Sequence, residues 1–243
     1  MKRMKRQFFL LACLLILVLI SGCDVIYSLY SYGKEPVESE SGTTGTVTDI
    51  NGNVYHTVII GTQTWMVENL KTTKYRNGDP IPNVTDATQW SNLTTGAFSD
   101  YNNTPSNSNT YGHLYNWYAV SDSQNIAPTG WHVPTDVEWI TLTRFLGGKF
   151  VAGYKLKESR TTHWRPGNYG INKSGFTALP GGQRTGVGTF KGIGKYGGEY
   201  GFWWSVDYAA RARPRELTYD HGKIIRYRIS WKENGFSVRC VKD

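Results

Sequence analysis

Apolar and polar positions divide this chain into three regimes. From Phe8 to Ile20 the sequence is almost continuously apolar, a run shorter than the roughly 20 residues that cross a bilayer. From Asp24 to about Gly45 aliphatic residues are sparse, and the stretch closes on Glu-Ser-Glu-Ser-Gly-Thr-Thr-Gly. That composition predicts a tether without a packed core. From Thr46 onward, short apolar runs alternate with turn residues. Thr46 to Asp49, then Asn51-Gly52, then Val54 to Ile60 read as strand, turn, strand, because Asn-Gly suits a tight hairpin. Thr62 to Leu70 continues as an extended segment. Residues 76–110 are rich in Asn, Thr, Ser, Gly and Pro, which predicts a long surface excursion. Such a loop suits ligand binding or a decorative insertion equally.

Two segments carry helical signals. His113 to Val120 reads as a short aromatic helix. Thr135-Asp136-Val137-Glu138 is a capping box, predicting a helix to about Leu146 that Gly147 stops. Val137, Ile140 and Phe145 are expected to face the core. A glycine-rich stretch, Gly181-Gly182 to Gly201, follows. Phe202 to Val206, Arg215 to Tyr219, Lys223 to Ser230 and Gly235 to Val241 then show the partial alternation of strands, with Asp220-His221-Gly222 as a turn. Trp203 and Trp204 are adjacent, so one is expected to point inward and the other outward. No internal repeat is present.

The flanks of the first apolar run change its meaning. Lys2, Arg3, Lys5 and Arg6 precede it, and Leu19-Ile20-Ser21-Gly22-Cys23 closes it. A basic start, an apolar centre and small residues before a cysteine form a lipoprotein signal peptide over 1–22. Cys23 is then the lipidated N-terminus, and 23–45 is the tether that joins the membrane to a domain over 46–243. The reading places the protein on the bacterial cell envelope, with the outer membrane preferred. The whole chain has 27 Lys+Arg against 19 Asp+Glu. Four of those cations lie in the signal peptide, so the exported part carries about +4 (23 minus 19). A charge that small, on an exported chain, argues against a nucleic-acid partner. Of Cys13, Cys23 and Cys240, only Cys240 remains as a free thiol. The domain therefore has neither an internal disulfide nor a zinc site built on cysteine pairs. Nine Trp, 16 Tyr and 9 Phe predict an aromatic core.

Five strings, in order, carry a resemblance. They are Val54-Tyr55 with Ile60-Gly-Thr-Gln-Thr-Trp-Met-Val-Glu-Asn-Leu70; Tyr111-Gly-His-Leu-Tyr-Asn-Trp117; Gly130-Trp-His-Val-Pro-Thr135; Gly175-Phe-Thr-Ala-Leu-Pro-Gly-Gly182; and Gly235-Phe-Ser-Val-Arg-Cys-Val241. Together they resemble the Fibrobacter succinogenes major paralogous domain over roughly residues 46–243, a family found mostly on exported bacterial proteins and often on lipoproteins. Trp131 to Trp139 and the late Gly-Phe-Ser-Val-Arg are also similar, more distantly, to the formylglycine-generating-enzyme branch of the C-type lectin fold. The resemblance implies an α+β fold: a C-type-lectin-like twisted antiparallel sheet core with two short helices and long irregular loops. Family members often carry a cysteine where this chain has Ala127, and the resemblance implies that it pairs with the late cysteine. Cys240 is thus expected close to Ala127 and unpaired. The oxidative chemistry of the enzyme branch uses reactive cysteines, and only Cys240 is available here.

Other chemical signals are thin. Gly192-Ile-Gly194-Lys-Tyr-Gly197 fits G-x-G-x-x-G but lacks the strand before and helix after that a dinucleotide site requires. His56, His113, His132, His163 and His221 show no metal-ligand spacing, and no nucleophile elbow is present. Asp136 and Glu138 have a capping role. No cofactor is implied. Aromatic density remains: Trp and Tyr rings stack on the apolar faces of sugars while polar neighbours satisfy hydroxyls. Trp164, Arg165, Tyr196, Tyr200, Trp204 and Tyr219 form the candidate ligand-binding set, with Trp164 and Tyr200 expected to be the most exposed. The leading expectation is a non-catalytic, lipid-anchored domain binding glycan or a surface protein through loops. The alternatives are a structural or adhesive envelope protein without a discrete site, and an exported hydrolase.

Overall fold

The computed structural model describes residues 43–206 and 212–243. The expected signal peptide, Cys23 and nearly all of the expected tether lie outside the described residues. The chain runs β1 (Thr43–Thr48), β2 (Val54–Ile60), β3 (Gln63–Met66), α1 (Ala87–Ser91), β4 (Phe98–Ser99), α2 (Pro105–Tyr111), β5 (Leu114–Tyr115), α3 (Trp117–Val120), β6 (Trp131–His132), α4 (Asp136–Phe145) and α5 (Ala152–Leu156). It continues through β7 (Gln183–Arg184), β8 (Phe190–Lys191), β9 (Ile193–Gly194), β10 (Gly197–Gly198), β11 (Tyr200–Trp203), β12 (Arg215–Thr218), β13 (Ile225–Arg226) and β14 (Val241–Lys242). This is an α+β fold. An antiparallel sheet of order β1-β2-β3-β14-β6 brings the end of the chain between its early strands, and β11-β12-β13 forms a second sheet.

The first hairpin forms where Asn51-Gly52 predicts it. Gly52 takes the left-handed conformation at φ 83. The Asp49 carboxylate accepts from the backbone N–H of Asn51 and of Asn53, both at 2.9 Å, and from the Tyr55 hydroxyl at 2.7 Å. β1 begins at Thr43, slightly before the expected domain start.

Two buried clusters flank the main sheet. One gathers Tyr55, Met66, Trp117, Trp131, Trp204, Phe236 and Cys240; the other gathers Val58, Trp65, Trp139, Trp164, Phe176 and Trp203. Trp203 and Trp204 do point to opposite sides of their strand. Both sides are covered, so neither ring faces solvent, contrary to the expectation that one would.

The capping box starts α4 as its sequence dictates: Glu138 N–H donates to Thr135 Oγ1 at 3.2 Å, and Thr135 N–H donates to Glu138 Oε2 at 2.7 Å. Its buried face, however, is Asp136, Trp139 and Leu142. Val137 is 64% exposed and Phe145 38%. The Trp139 ring, 5.0 Å from Trp65, carries more apolar surface than Val137 and decides the rotation of the helix.

The predicted helix at His113 to Val120 divides in two. Leu114–Tyr115 pairs with β4, and Asn116 then accepts from Ala119 N–H at 3.0 Å to start α3. Residues 76–110 are no excursion: they hold α1, α2 and the buried Ile81, Trp90, Phe98 and Tyr101. Their large apolar residues are widely spaced, but each reaches the core. Cys240 is free and buried, in the same cluster as Ala127.

Candidate functional site

The six candidate aromatic and basic residues separate by burial. Trp164 and Trp204 are 0% exposed. Trp164 Nε1 donates to the Ala178 carbonyl at 2.9 Å, and Trp204 Nε1 to the Tyr115 carbonyl at 2.7 Å. With both ring faces in the cores and both N–H groups satisfied, neither can touch a ligand. Their assignment as ligand-binding residues is corrected to core. Locally, Trp164 is bridged to Gly198, and a Cβ on Gly197 would come within about 3 Å of the backbone of residues 163–165, so glycine there permits the close strand approach.

The other four do come together, around β9 and β10. Arg165 N–H donates to the Gly198 carbonyl, and Tyr219 N–H to the Glu199 carbonyl, both at 2.9 Å. The Arg165 guanidinium pairs with Glu199 and lies 5.2 Å from the Tyr219 ring centroid. That stacking occupies one face of Tyr219. Tyr200, expected to be well exposed, is half-buried against Gly192 and Phe202. Only Tyr196 projects, at 65% exposure, with the Lys195 ammonium 5.6 Å from its ring.

A second aromatic surface, which the candidate set omits, stands at the far end of the β7–β8 hairpin. Trp231 is 68% exposed, although the loop that bears it is tied down throughout. Ser230 N–H donates to Ala212 O at 2.9 Å, Lys232 O accepts from Trp117 N–H at 2.8 Å, and Glu233 O accepts from the indole of Trp90 at 2.7 Å. Asn234 Oδ1 accepts from Gly186 N–H at 2.7 Å, which fastens the loop to the hairpin tip. The Tyr118 hydroxyl donates to Glu233 Oε1 at 3.0 Å, and Lys232 lies 5.8 Å from the Tyr118 ring. An exposed indole thus sits beside carboxylate, ammonium, amide and phenol groups. The signal that could have found it is a lone Trp inside the polar run Ser-Trp-Lys-Glu-Asn-Gly.

Titratable groups are largely committed elsewhere. Asp136 accepts from Arg215 Nη2 at 2.5 Å, Arg226 Nε at 2.8 Å and Nη2 at 2.5 Å, and Arg213 Nη1 at 3.4 Å. Burial pushes its carboxyl up, but the hydrogen bonds from Arg226 and Arg215 outweigh that and hold it well below the usual range. His132 sits between Glu138 at 2.8 Å and Asp243 at 2.6 Å. Its pKa is raised, chiefly by the bond to Glu138. Glu138 is itself held by the capping box, so this trio has no free base. Glu216 is buried, and burial raises its carboxyl pKa while the Tyr227 hydroxyl donates to it at 2.6 Å. A cleft of about 240 Å³ is lined by Asp49, Lys74, Arg76 and Ala127 among others. Asp49 is spent on the hairpin turn, and Arg76 donates to the carbonyls of Ala127, Pro128 and Trp131. No group of three His, Cys, Asp or Glu among the described residues could hold a metal ion.

The sequence model of one family, described as the Fibrobacter succinogenes major domain, matches residues 58–242. No curated protein and no solved structure matches the chain.

Proposed function

Given a chain that belongs to the Fibrobacter succinogenes major domain family, we propose a non-catalytic, lipid-anchored domain of the bacterial cell envelope that binds saccharide through exposed aromatic rings. Within this reading the α+β fold is C-type-lectin-like, Cys23 carries the lipid, and the outer membrane is the site of display. The observation that carries the proposal is Trp231: a ring 68% exposed on a backbone pinned to Ala212, Trp117, Trp90 and Gly186. An apolar ring held outward on a pinned backbone, among hydrogen-bonding groups, is preorganised for stacking. Tyr196, in the β9–β10 turn, offers a second exposed ring. Saturated carboxylates at Asp49, Asp136 and Glu138 favour binding over hydrolysis.

The test is glycan-array and insoluble-polysaccharide binding by residues 43–243, repeated with Trp231→Ala. Saturable binding that falls about tenfold in the variant, the scale of one aromatic contact, supports the proposal. Binding to no glycan, or binding that Trp231→Ala leaves unchanged, removes it and favours a protein-contacting or structural envelope role.

A further inference from the structure

A different face stands at the β2–β3 end of the main sheet. The last turn of α4 and the loop after it leave Phe145, Phe150 and Val151 exposed by 38%, 65% and 43%. These residues lie on one continuous stretch. The Phe145 ring covers the β2–β3 turn, where a Cβ on Gly61 would come within 2.9 Å of it. Residues 144–155 carry Arg144, Lys149 and Lys155 and no carboxylate. The Lys149 ammonium lies 4.8 Å from the Phe150 ring centroid. The neighbouring loop 219–224 is fastened to this stretch by Ile224 N–H to Lys149 O at 2.8 Å and Gly153 N–H to Gly222 O at 2.9 Å. It adds Lys223 and a single carboxylate, Asp220. The face is therefore apolar at its centre and basic around it.

Its position relative to the incoming chain matters. Thr43 pairs with Val58, so the polypeptide enters at the Ile60–Gly61 end of β2. Gly61 lies three residues past Val58, about 10 Å along the strand. Residues 24–42 alone separate Cys23 from Thr43, and the twenty residue steps between them cannot reach beyond about 70 Å.

We propose that this face rests on an anionic lipid surface, with Phe150 and Val151 at the headgroup boundary and Lys149, Arg144 and Lys223 towards the phosphates. The inference builds on the reading of Cys23 as the lipid anchor, which places a membrane within reach of this end of the sheet. Exposed apolar side chains ringed by cations are what an anionic bilayer attracts. A second copy of the chain is the poorer occupant, since four cations against one carboxylate make the face repel itself.

The decisive experiment is vesicle flotation of unlipidated residues 43–243. Residues 41–243 form a compact unit of their own and contain both buried clusters. The expected result is flotation with vesicles of phosphatidylethanolamine containing a quarter phosphatidylglycerol, and none with phosphatidylcholine alone. Phe150→Ser lowers the partition coefficient about tenfold or more, from the apolar surface removed. Lys149→Glu, a change of two charges, lowers it about 30-fold. Trp231→Ala leaves it unchanged. Circular dichroism checks that the exposed substitutions leave the fold intact. Flotation equal on both vesicles, or insensitive to Phe150→Ser and Lys149→Glu, overturns the proposal. So does a concentration-dependent dimer that Phe150→Ser abolishes. Mass spectrometry of the N-terminal peptide from membrane-extracted full-length protein tests acylation of Cys23 separately, so failure of the anchor and failure of the face are told apart.

Discussion

Replacing Asp136 by Asn tests how far one carboxylate organises the second half of the domain. The Asp136 side chain is 9% exposed, and that of Arg215, which donates to it, is 2% exposed. Two effects compete. Removing the charge relieves the desolvation of the carboxylate, but it strands the Arg215 guanidinium in the interior. The remaining acceptors for Arg215 are the Asp136 carbonyl at 3.2 Å and Ser205 Oγ at 3.5 Å, both long. Breaking a buried pair by removing one partner costs about 3–5 kcal/mol. Asn keeps one oxygen in place, so a loss of about 3 kcal/mol is expected. At roughly 2–4 °C per kcal/mol for a domain of this size, Tm falls by about 6–12 °C. Thermal melts and urea titrations followed by circular dichroism measure both quantities. The acid response gives an independent check. The folded carboxyl titrates below the ordinary aspartate value of 3.8, so its contribution is complete above about pH 4 and is withdrawn as pH falls through the folded value. Asp136→Asn is then expected to lose less stability on acidification than the parent. A loss under 1 kcal/mol at neutral pH, with an unchanged acid slope, would refute the argument.

Three further outcomes follow from the same structure. Trp204→Ala empties a fully buried site and is expected to cost about 3–5 kcal/mol, whereas Tyr196→Ala, in the open, stays within about 0.5 kcal/mol; urea midpoints distinguish them, and similar losses would contradict the burial described. His132, bonded by Glu138 and Asp243, titrates above the ordinary histidine value of 6.5, so its contribution is complete below about pH 6.5 and disappears as pH rises through the folded value. A proton-NMR titration placing it below 6.5 would be the contrary result. Ala127→Cys in the 43–243 domain, refolded under oxidising conditions, is expected to form a disulfide with Cys240 and to add about 2–4 kcal/mol of stability; persistence of two thiols titratable after unfolding would show the side chains too far apart.

The elements visible in the sequence are those with a local cause. Asn51-Gly52 and the Thr135–Glu138 box each carry their own hydrogen-bond partners within a few residues, and both sit where expected. What the sequence hides is set by distant partners. Residues 76–110 look like a polar loop until Trp90 is seen donating to Glu233, 143 residues away. Buried arginines likewise tie together segments far apart in the chain. Arg184 bonds the carbonyls of Val84, Thr85 and Asp86, while Arg239 bonds Asn69 Oδ1 and the Phe176 carbonyl. No periodicity announces such bonds. The same holds for the candidate site. Ring chemistry could be read from Trp164 and Trp204, but their burial depends on the second layer of packing, and nothing local singles out Trp231 among the late aromatic residues.

Cys240 has a consequence for how the molecule meets oxidants. Its thiol is fully buried, and burial pushes its pKa far above the ordinary range, so in the folded protein it is inert to oxidants and to other thiols. The 43–243 chain has no other cysteine. Any thiol reagent that reacts must therefore wait for the structure to open. Labelling kinetics at Cys240 amount to a built-in clock for the rarest excursions of the core. Under oxidising conditions, an incompletely folded chain would be marked by cross-linking to its neighbours, while a native one would stay monomeric at this position.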